Sequence, residues 1–424
     1  MLALLNKMRG QIHSRGDSPS MSLLFGNASA HDAHMPRFPL VAATSIGLSD
    51  SVFSKLVQRA REKGGTYFPL HVGDTYLEPF EGARAEAMRE TDHPRLHNYA
   101  PVQGEPRLLD AIQRHVKRRA GVELDRERIQ VVSGATAGLA VVLDALFSAG
   151  DELLLLAPYW PLVRGTSQRR GVLAVEVPFF DRLRTFNDAA SAEAYLNSFV
   201  TEKTSAIYLN TPHNPTGEML ASHLLDAIAN VAKKHDLWVI SDEVYEELWF
   251  TEEPTPAWMH PGLRERSVAV HSVSKAYGLA GARVGFIHGP ASAMQAIRGV
   301  QTFVTYCAPR PLQLAAAVAL DDARAWIDAT RKHYAELGQL AADALGVERP
   351  PGGTFLFIDV RDRRRAGEDT MGLLERFLDA GVLLTPGTAS GKDFEGWVRL
   401  CFTTVPQADL EEAVKRLRKV LDDR

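Results

Sequence analysis

The stretch Ala206-Ile207-Tyr208-Leu209-Asn210-Thr211-Pro212-His213-Asn214-Pro215-Thr216-Gly217, with the segment 222–241 beyond it, decides how this chain folds. The apolar run 206–209 has the length and composition of a strand, and it breaks off into asparagine, proline and glycine. A helical pattern occupies 222–235, and a second strand-like run follows at 238–241. Strand, helix and strand in that order predict a layered α/β domain.

The alternation continues outward from this unit. Further strand candidates lie at 129–132, 152–156, 174–177, 268–271 and 284–288, with a helical pattern over 137–148. Together the runs predict a mostly parallel, seven-stranded sheet covered by helices, in which ligands collect at the carboxyl ends of the strands. Beyond Pro309 long helical stretches reach Leu345, followed by a strand at 354–360 and a helix at about 370–380. Strands at 382–384 and 397–402 and a helix at 407–421 complete a smaller α/β domain. The expected organisation is an N-terminal arm over 1–35, ordered or disordered, a small domain built from both chain ends (36–70 and 310–424), and a large ligand-binding domain over 71–309.

Composition narrows the class. With 424 residues and 45% hydrophobic content the chain exceeds what one core usually supports, and a net charge of −4 gives no global basic field for nucleic acid. Cys307 and Cys401 stand far apart without a CxxC, which argues against a disulfide framework or structural zinc and fits a reduced cytoplasm. No apolar run approaches the roughly 18 to 20 residues of a membrane span. Residues 1–15 lack the apolar core of a signal peptide, and Met21 or Met35 is an alternative start.

Four motifs carry chemistry. The loop 210–217 is stiff and can aim amides at a ligand, although a plain turn would use the same residues. Asp242 and Tyr245 put a carboxylate and a phenol just after the strand 238–241. Beside a pyridine nitrogen such a carboxylate keeps the ring protonated. Glu243, Glu246 and Glu247 are expected to be solvated. Gly134-Ala135-Thr136 opens a helix after the first strand and offers free N–H groups to an anion, or merely packs it. Finally, Lys275 lies in Ser272-Val273-Ser274-Lys275 with Arg283 eight positions on. An amine among hydroxyls, with a guanidinium near, suits an imine-forming aldehyde that also bears a phosphate, which describes pyridoxal 5′-phosphate. Histidines 13, 31, 34, 213 and 271 are candidates to face substrate or water, and none has the spacing of a metal site.

From about Pro69 to the C-terminus these motifs resemble, in order, those of the class I/II aminotransferases, the fold-type I enzymes dependent on pyridoxal phosphate. The resemblance implies Lys275 as Schiff-base lysine and proton shuttle, Asp242 at the ring nitrogen, and Asn214 and Tyr245 on the ring oxygen. It implies Gly134, Ala135, Thr136, Ser272, Ser274 and Arg283 around the phosphate. Trp160 would stack on the ring, with a core tryptophan as the alternative. Arg399 would grip the substrate carboxylate, assisted by Asn210 and near Gly73. Tyr99 would reach the phosphate of a neighbouring subunit, so an obligate homodimer is implied.

Two segments depart from the family pattern. Where Gly-x-Pro-Asp is usual this chain has Gly73-Asp74-Thr75-Tyr76-Leu77-Glu78-Pro79, and Pro386-Gly387-Thr388-Ala389-Ser390 lacks the customary phenylalanine. Both touch substrate surroundings. The expected function is therefore amino-group transfer between an L-amino acid and a 2-oxo acid, with a pyridoxal-phosphate-dependent lyase or cyclase as the alternative. A non-catalytic sensor would need a DNA-binding module that residues 1–35 are too few to supply.

Overall fold

The seven apolar runs form strands within two residues of their expected bounds in the computed structural model, which describes residues 41–48 and 54–423. They are β1 (Ile129–Val132), β2 (Glu152–Ala157), β3 (Leu173–Pro178), β4 (Thr204–Asn210), β5 (Trp238–Asp242), β6 (Ser267–Ser272) and β7 (Gly285–His288). Their order is β1-β7-β6-β5-β4-β2-β3, and β7 alone runs against its neighbours. Along β2, Leu153 and Leu155 enter one apolar cluster while Leu154 and Leu156 enter another. Alternate side chains leave opposite faces of a strand, so the sheet is buried on both sides.

The covering helices start and stop where sequence chemistry dictates. The first two are α1 (Ser54–Lys63) and α2 (Pro106–Ala120). In α2, proline occupies the first turn, where its missing N–H costs nothing, and Gly121 ends the helix at φ 66°. Helix α3 (Ala135–Leu146) follows β1, and α4 (Pro161–Arg170) repeats the proline start and ends at Gly171, φ 81°. Helices α5 (Ala189–Asn197) and α6 (Ser222–Lys234) lead into β4 and β5, and α7 (Ala291–Val304) follows β7.

Past α8 (Arg310–Asp322) and α9 (Arg324–Leu345) a second, antiparallel sheet forms in the order β8-β10-β9. Its strands are β8 (Phe355–Asp359), β9 (Thr385–Pro386) and β10 (Trp397–Cys401), packed with α10 (Thr370–Asp379) and α11 (Gln407–Asp422). The strand expected at 382–384 is displaced: Arg399 pairs with Thr385 and Val398 with Pro386, while Val382 makes only an isolated bridge to Phe68. Residues 382–384 are apolar because they are buried, not because they are laddered.

Of the described residues, 54–423 cluster as one unit and 41–48 belong to another. The latter contain one 3-10 turn, Ala43–Ser45, and the arm expected over 1–35 lies outside the described residues. No described helix is long and apolar enough to cross a membrane.

Candidate active site

Three adjacent strands stop at polar residues, and their pairing brings those residues together. Asn210 ends β4 opposite Asp242, which ends β5. Ser272 ends β6 opposite Gly285, which in turn pairs with Val132 just before the turn into α3. A row of strand ends therefore runs from Asn210 through Asp242 and Ser272 to the start of α3.

That helix start is built for an anion. Gly134 precedes it at φ 82° and no side chain caps it, so its first N–H groups are left to a ligand. Arg283, at φ 52°, lies so close that a Cβ on Gly134 would come within 2.7 Å of its Nη2. Its Nη1 donates to the Ala280 carbonyl at 3.0 Å, and it has no carboxylate partner among the described residues. Ser272 Oγ donates to Ser274 Oγ at 2.8 Å and accepts from the Ser274 N–H at 3.1 Å. A guanidinium, two hydroxyls and uncapped amides suit a phosphate dianion.

Asp242 is buried, and Tyr208 from β4 donates its O–H to Oδ2 at 2.7 Å. Burial pushes the carboxyl from 3.8 up to about 6, against the Tyr208 hydrogen bond. An acid whose folded pKa is raised binds protons more tightly in the folded chain, so its contribution to stability falls as pH rises from about 4 to about 6. Asp242→Asn in the cofactor-free protein is therefore expected to melt higher than wild type by a margin that widens across that window and levels off above it. The gain is on the order of 3 kcal/mol at most. Melting curves at pH 4 to 8 check this, and a margin that shrinks with rising pH contradicts it.

Lys275 and Arg399 both reach the loop 71–73. Lys275 Nζ donates to the Gly73 carbonyl, and Arg399 Nη2 donates to the His71 carbonyl at 2.9 Å. Burial lowers the Lys275 ammonium from its ordinary value, with Asp74 opposing. Arg399 is 4% exposed, sits 4.5 Å over the Phe355 ring, and donates to Asn214 Oδ1 at 2.9 Å and Thr385 Oγ1 at 3.3 Å. Its Nε is buried without a hydrogen-bond partner, and no carboxylate pairs with it among the described residues. A buried guanidinium without an acid asks for an anionic ligand.

One cavity of about 450 Å³ gathers most of the expected residues: Gly73, Ala135, Thr136, Trp160, Asn210, Asn214, Asp242, Tyr245, Ser272, Ser274, Lys275, Arg283 and Arg399. Gly134 stands behind it, against Arg283. Tyr99 is not among the lining residues; it is 84% exposed, edge-on to Tyr306 at 5.3 Å. The side-chain hydrogen bonds of Arg399 go to Asn214, His71 and Thr385, and those of Asn210 go elsewhere. Asn210 braces the strand ends, donating to the Asp242 carbonyl and accepting from the Asn214 N–H, both at 2.7 Å. Asn214 is the side chain that meets Arg399, and its Nδ2 donates to Tyr245 Oη at 3.4 Å.

Several expectations fail at the edges of the site. Glu243, Glu246 and Glu247 are buried, not solvated. Glu246 Oε1 accepts from His271 Nδ1 at 2.9 Å and His115 Nε2 at 3.2 Å, and Arg119 Nε lies 3.1 Å from Oε2. His271 and His213 therefore face neither substrate nor water. His213 stacks on Phe180 at 3.4 Å and pairs with Thr216. Histidines 13, 31 and 34 lie outside the described residues. Conversely, Tyr208, His71, Val72, Val57 and Leu162 were not expected at the site. Tyr208 alone carried a signal, standing two residues before Asn210 and hence on the same strand face.

Comparison with known proteins joins this geometry to a family. Residues 66–417 match the model for aminotransferase class I and II. The chain belongs to that family. The aminotransferase is 32% identical over 363 residues to an arginine–pyruvate transaminase of Pseudomonas aeruginosa, covering 84% of this chain and 90% of that one. It is 32% identical over 348 residues to an aspartate aminotransferase of Pyrococcus abyssi, covering 80% and 88%. A double mutant of the Thermus thermophilus aspartate aminotransferase has a TM-score of 0.82 at 26% identity, over 90% of this chain and 100% of that chain. The family's cofactor is pyridoxal 5′-phosphate, and the aminotransferase has a donor set that fits it. The uncapped helix start, the unpaired Arg283 and the serine pair suit its phosphate, and the buried Asp242 carboxylate suits its ring nitrogen.

Proposed function

We propose that the enzyme moves an amino group between an L-amino acid and a 2-oxo acid, with Lys275 as the lysine that bonds to the cofactor. The observation that carries this reading is that Lys275, Asp242 and Arg399 line one cavity, Asp242 and Arg399 buried and Lys275 partly buried, and none paired with an opposite charge among the described residues. When bound, pyridoxal phosphate supplies an electrophilic aldehyde and a protonated ring that accepts electrons from the substrate's α-carbon. Asp242, held by Tyr208, keeps the ring nitrogen protonated, and Asn214 and Tyr245 hold the ring oxygen. Gly134, Ala135, Thr136, Ser272, Ser274 and Arg283 bind the phosphate, and Trp160 covers the ring.

Arg399 takes the substrate carboxylate in a two-pronged grip and so orients the α-carbon toward Lys275. Lys275, its proton affinity reduced by burial, would be the base that takes and holds the α-proton. The family names leave the donor open, since relatives are called arginine–pyruvate and aspartate transaminases.

The reading includes a homodimer in which Tyr99 serves the partner's site. An exposed apolar patch supports it: Tyr99, Phe303 (92% exposed), Val304 and Tyr306 lie bare on the surface. It also includes the division into 36–70 with 310–424 against 71–309, supported by the Phe68–Val382 bridge and the Lys63–Asp379 ion pair. A cytoplasmic location is supported by the two free cysteines.

Stoichiometry tests the reaction type. Mixed with an amino acid and no acceptor, the holoenzyme is expected to release one oxo acid per site and stop until an oxo acid is added. Continuous release of oxo acid and ammonia would make it a lyase.

A further inference from the structure

We infer that the amino-acid substrate carries a bulky apolar side chain, aromatic or branched aliphatic, packed against Val57, Val72, Pro161 and Leu162. The inference rests on the transaminase reading and extends it to the part of the substrate that Arg399 and Lys275 do not hold.

Val72 fixes where that side chain goes. The residue before it gives its carbonyl to Arg399, and the residue after it gives its carbonyl to Lys275. Val72 therefore lies between the group that holds the substrate carboxylate and the amine that works at the α-carbon. Val57 comes to the same cavity from α1, and Pro161 and Leu162 from the first turn of α4. Val72 and Leu162 are 41% and 45% exposed, so apolar surface faces open space at the rim. A substrate side chain that covers this surface removes it from water.

The charges that the described residues of this chain bring to the cavity are already committed. Among the described lining residues the cations are Lys275, Arg283 and Arg399, and the sole carboxylate is Asp242. His71 is uncharged at neutral pH, since burial and the nearby Arg399 lower it to about 4. A second carboxylate on the substrate would meet valine, proline and leucine, and a distal guanidinium would find no acid. A charged group desolvated without a partner is strongly disfavoured, whereas an apolar pocket separates side chains by roughly 10- to 200-fold.

Carboxylates that lack the amino group separate this inference from the reading beneath it. Titrating the holoenzyme calorimetrically with 3-phenylpropionate and with succinate is expected to give the phenyl compound at least about tenfold tighter binding, with a negative heat-capacity change. Any smaller ratio, or one favouring succinate, overturns the inference and leaves the carboxylate clamp standing. Binding of neither overturns the clamp, and the inference with it. In Leu162→Arg the ratio is expected to move toward succinate by about tenfold or more, as a cation now meets the second carboxylate. An unchanged ratio removes Leu162 from the side-chain wall.

Discussion

Lys275→Ala is expected to lower the turnover number by at least roughly 10⁴-fold, the upper end of what a positioned acid–base group contributes. The loss should fall on kcat, because the lysine acts at the α-carbon and Arg399 still holds the substrate. Cofactor binding should survive, since the phosphate and ring contacts come from β1, β5, β6 and the loop after β4. The fold should survive too: the side chain is partly buried and its single hydrogen bond among the described residues is to the Gly73 carbonyl, so alanine removes a desolvated cation with little packing. Rapid mixing with an amino acid measures the first half-reaction alone. A variant that completes it at the wild-type rate contradicts the assignment.

Arg399→Leu is the second large effect. Cutting a buried charged clamp costs about 2 to 5 kcal/mol, which is roughly 30- to 5,000-fold in kcat/KM. Part of the loss should be in KM, from weaker grip, and part in kcat, from an α-carbon no longer aligned with Lys275. Arg399→Lys should recover little. A point charge cannot reproduce the fork that meets Asn214 Oδ1, the His71 carbonyl and Thr385 Oγ1 from its two terminal nitrogens. Steady-state kinetics across both variants checks the prediction, and wild-type kcat/KM in either would contradict the clamp.

The two variants differ in what they spare. Lys275→Ala keeps the grip on carboxylates and loses proton transfer; Arg399→Leu keeps proton transfer and loses the grip. Binding of 3-phenylpropionate, kept in the first and weakened in the second, distinguishes a lost chemical group from a disturbed fold.

What sequence made legible was the strand ends. Asn210, Asp242 and Ser272 each follow a short apolar run, and a polar residue where a buried parallel strand stops has few reasons to be there except a ligand. Arg399 was legible for a related cause, as a guanidinium inside an apolar strand. Tyr208 was less so: standing two residues before Asn210 puts it on the same strand face, but a tyrosine in a strand also reads as core, and its bond to Asp242 depends on β4 pairing with β5 in register.

The glutamates 243, 246 and 247 misled because three carboxylates close together read as a solvated edge. Their burial is non-local: His115 arrives from α2, 131 positions before Glu246, and His271 from β6, 25 positions after it. No local pattern announces partners at such distances. The strand at 385–386 was missed for a similar reason, since apolarity marks burial at 382–384 while pairing with β10 is decided by register.

Hydride reduction of the holoenzyme, which makes a lysine–cofactor bond permanent, followed by proteolysis and mass spectrometry of the peptides, tests the central claim most directly. The added mass of the reduced cofactor is predicted on Lys275 alone, and its appearance on another lysine, or on none, would contradict the account.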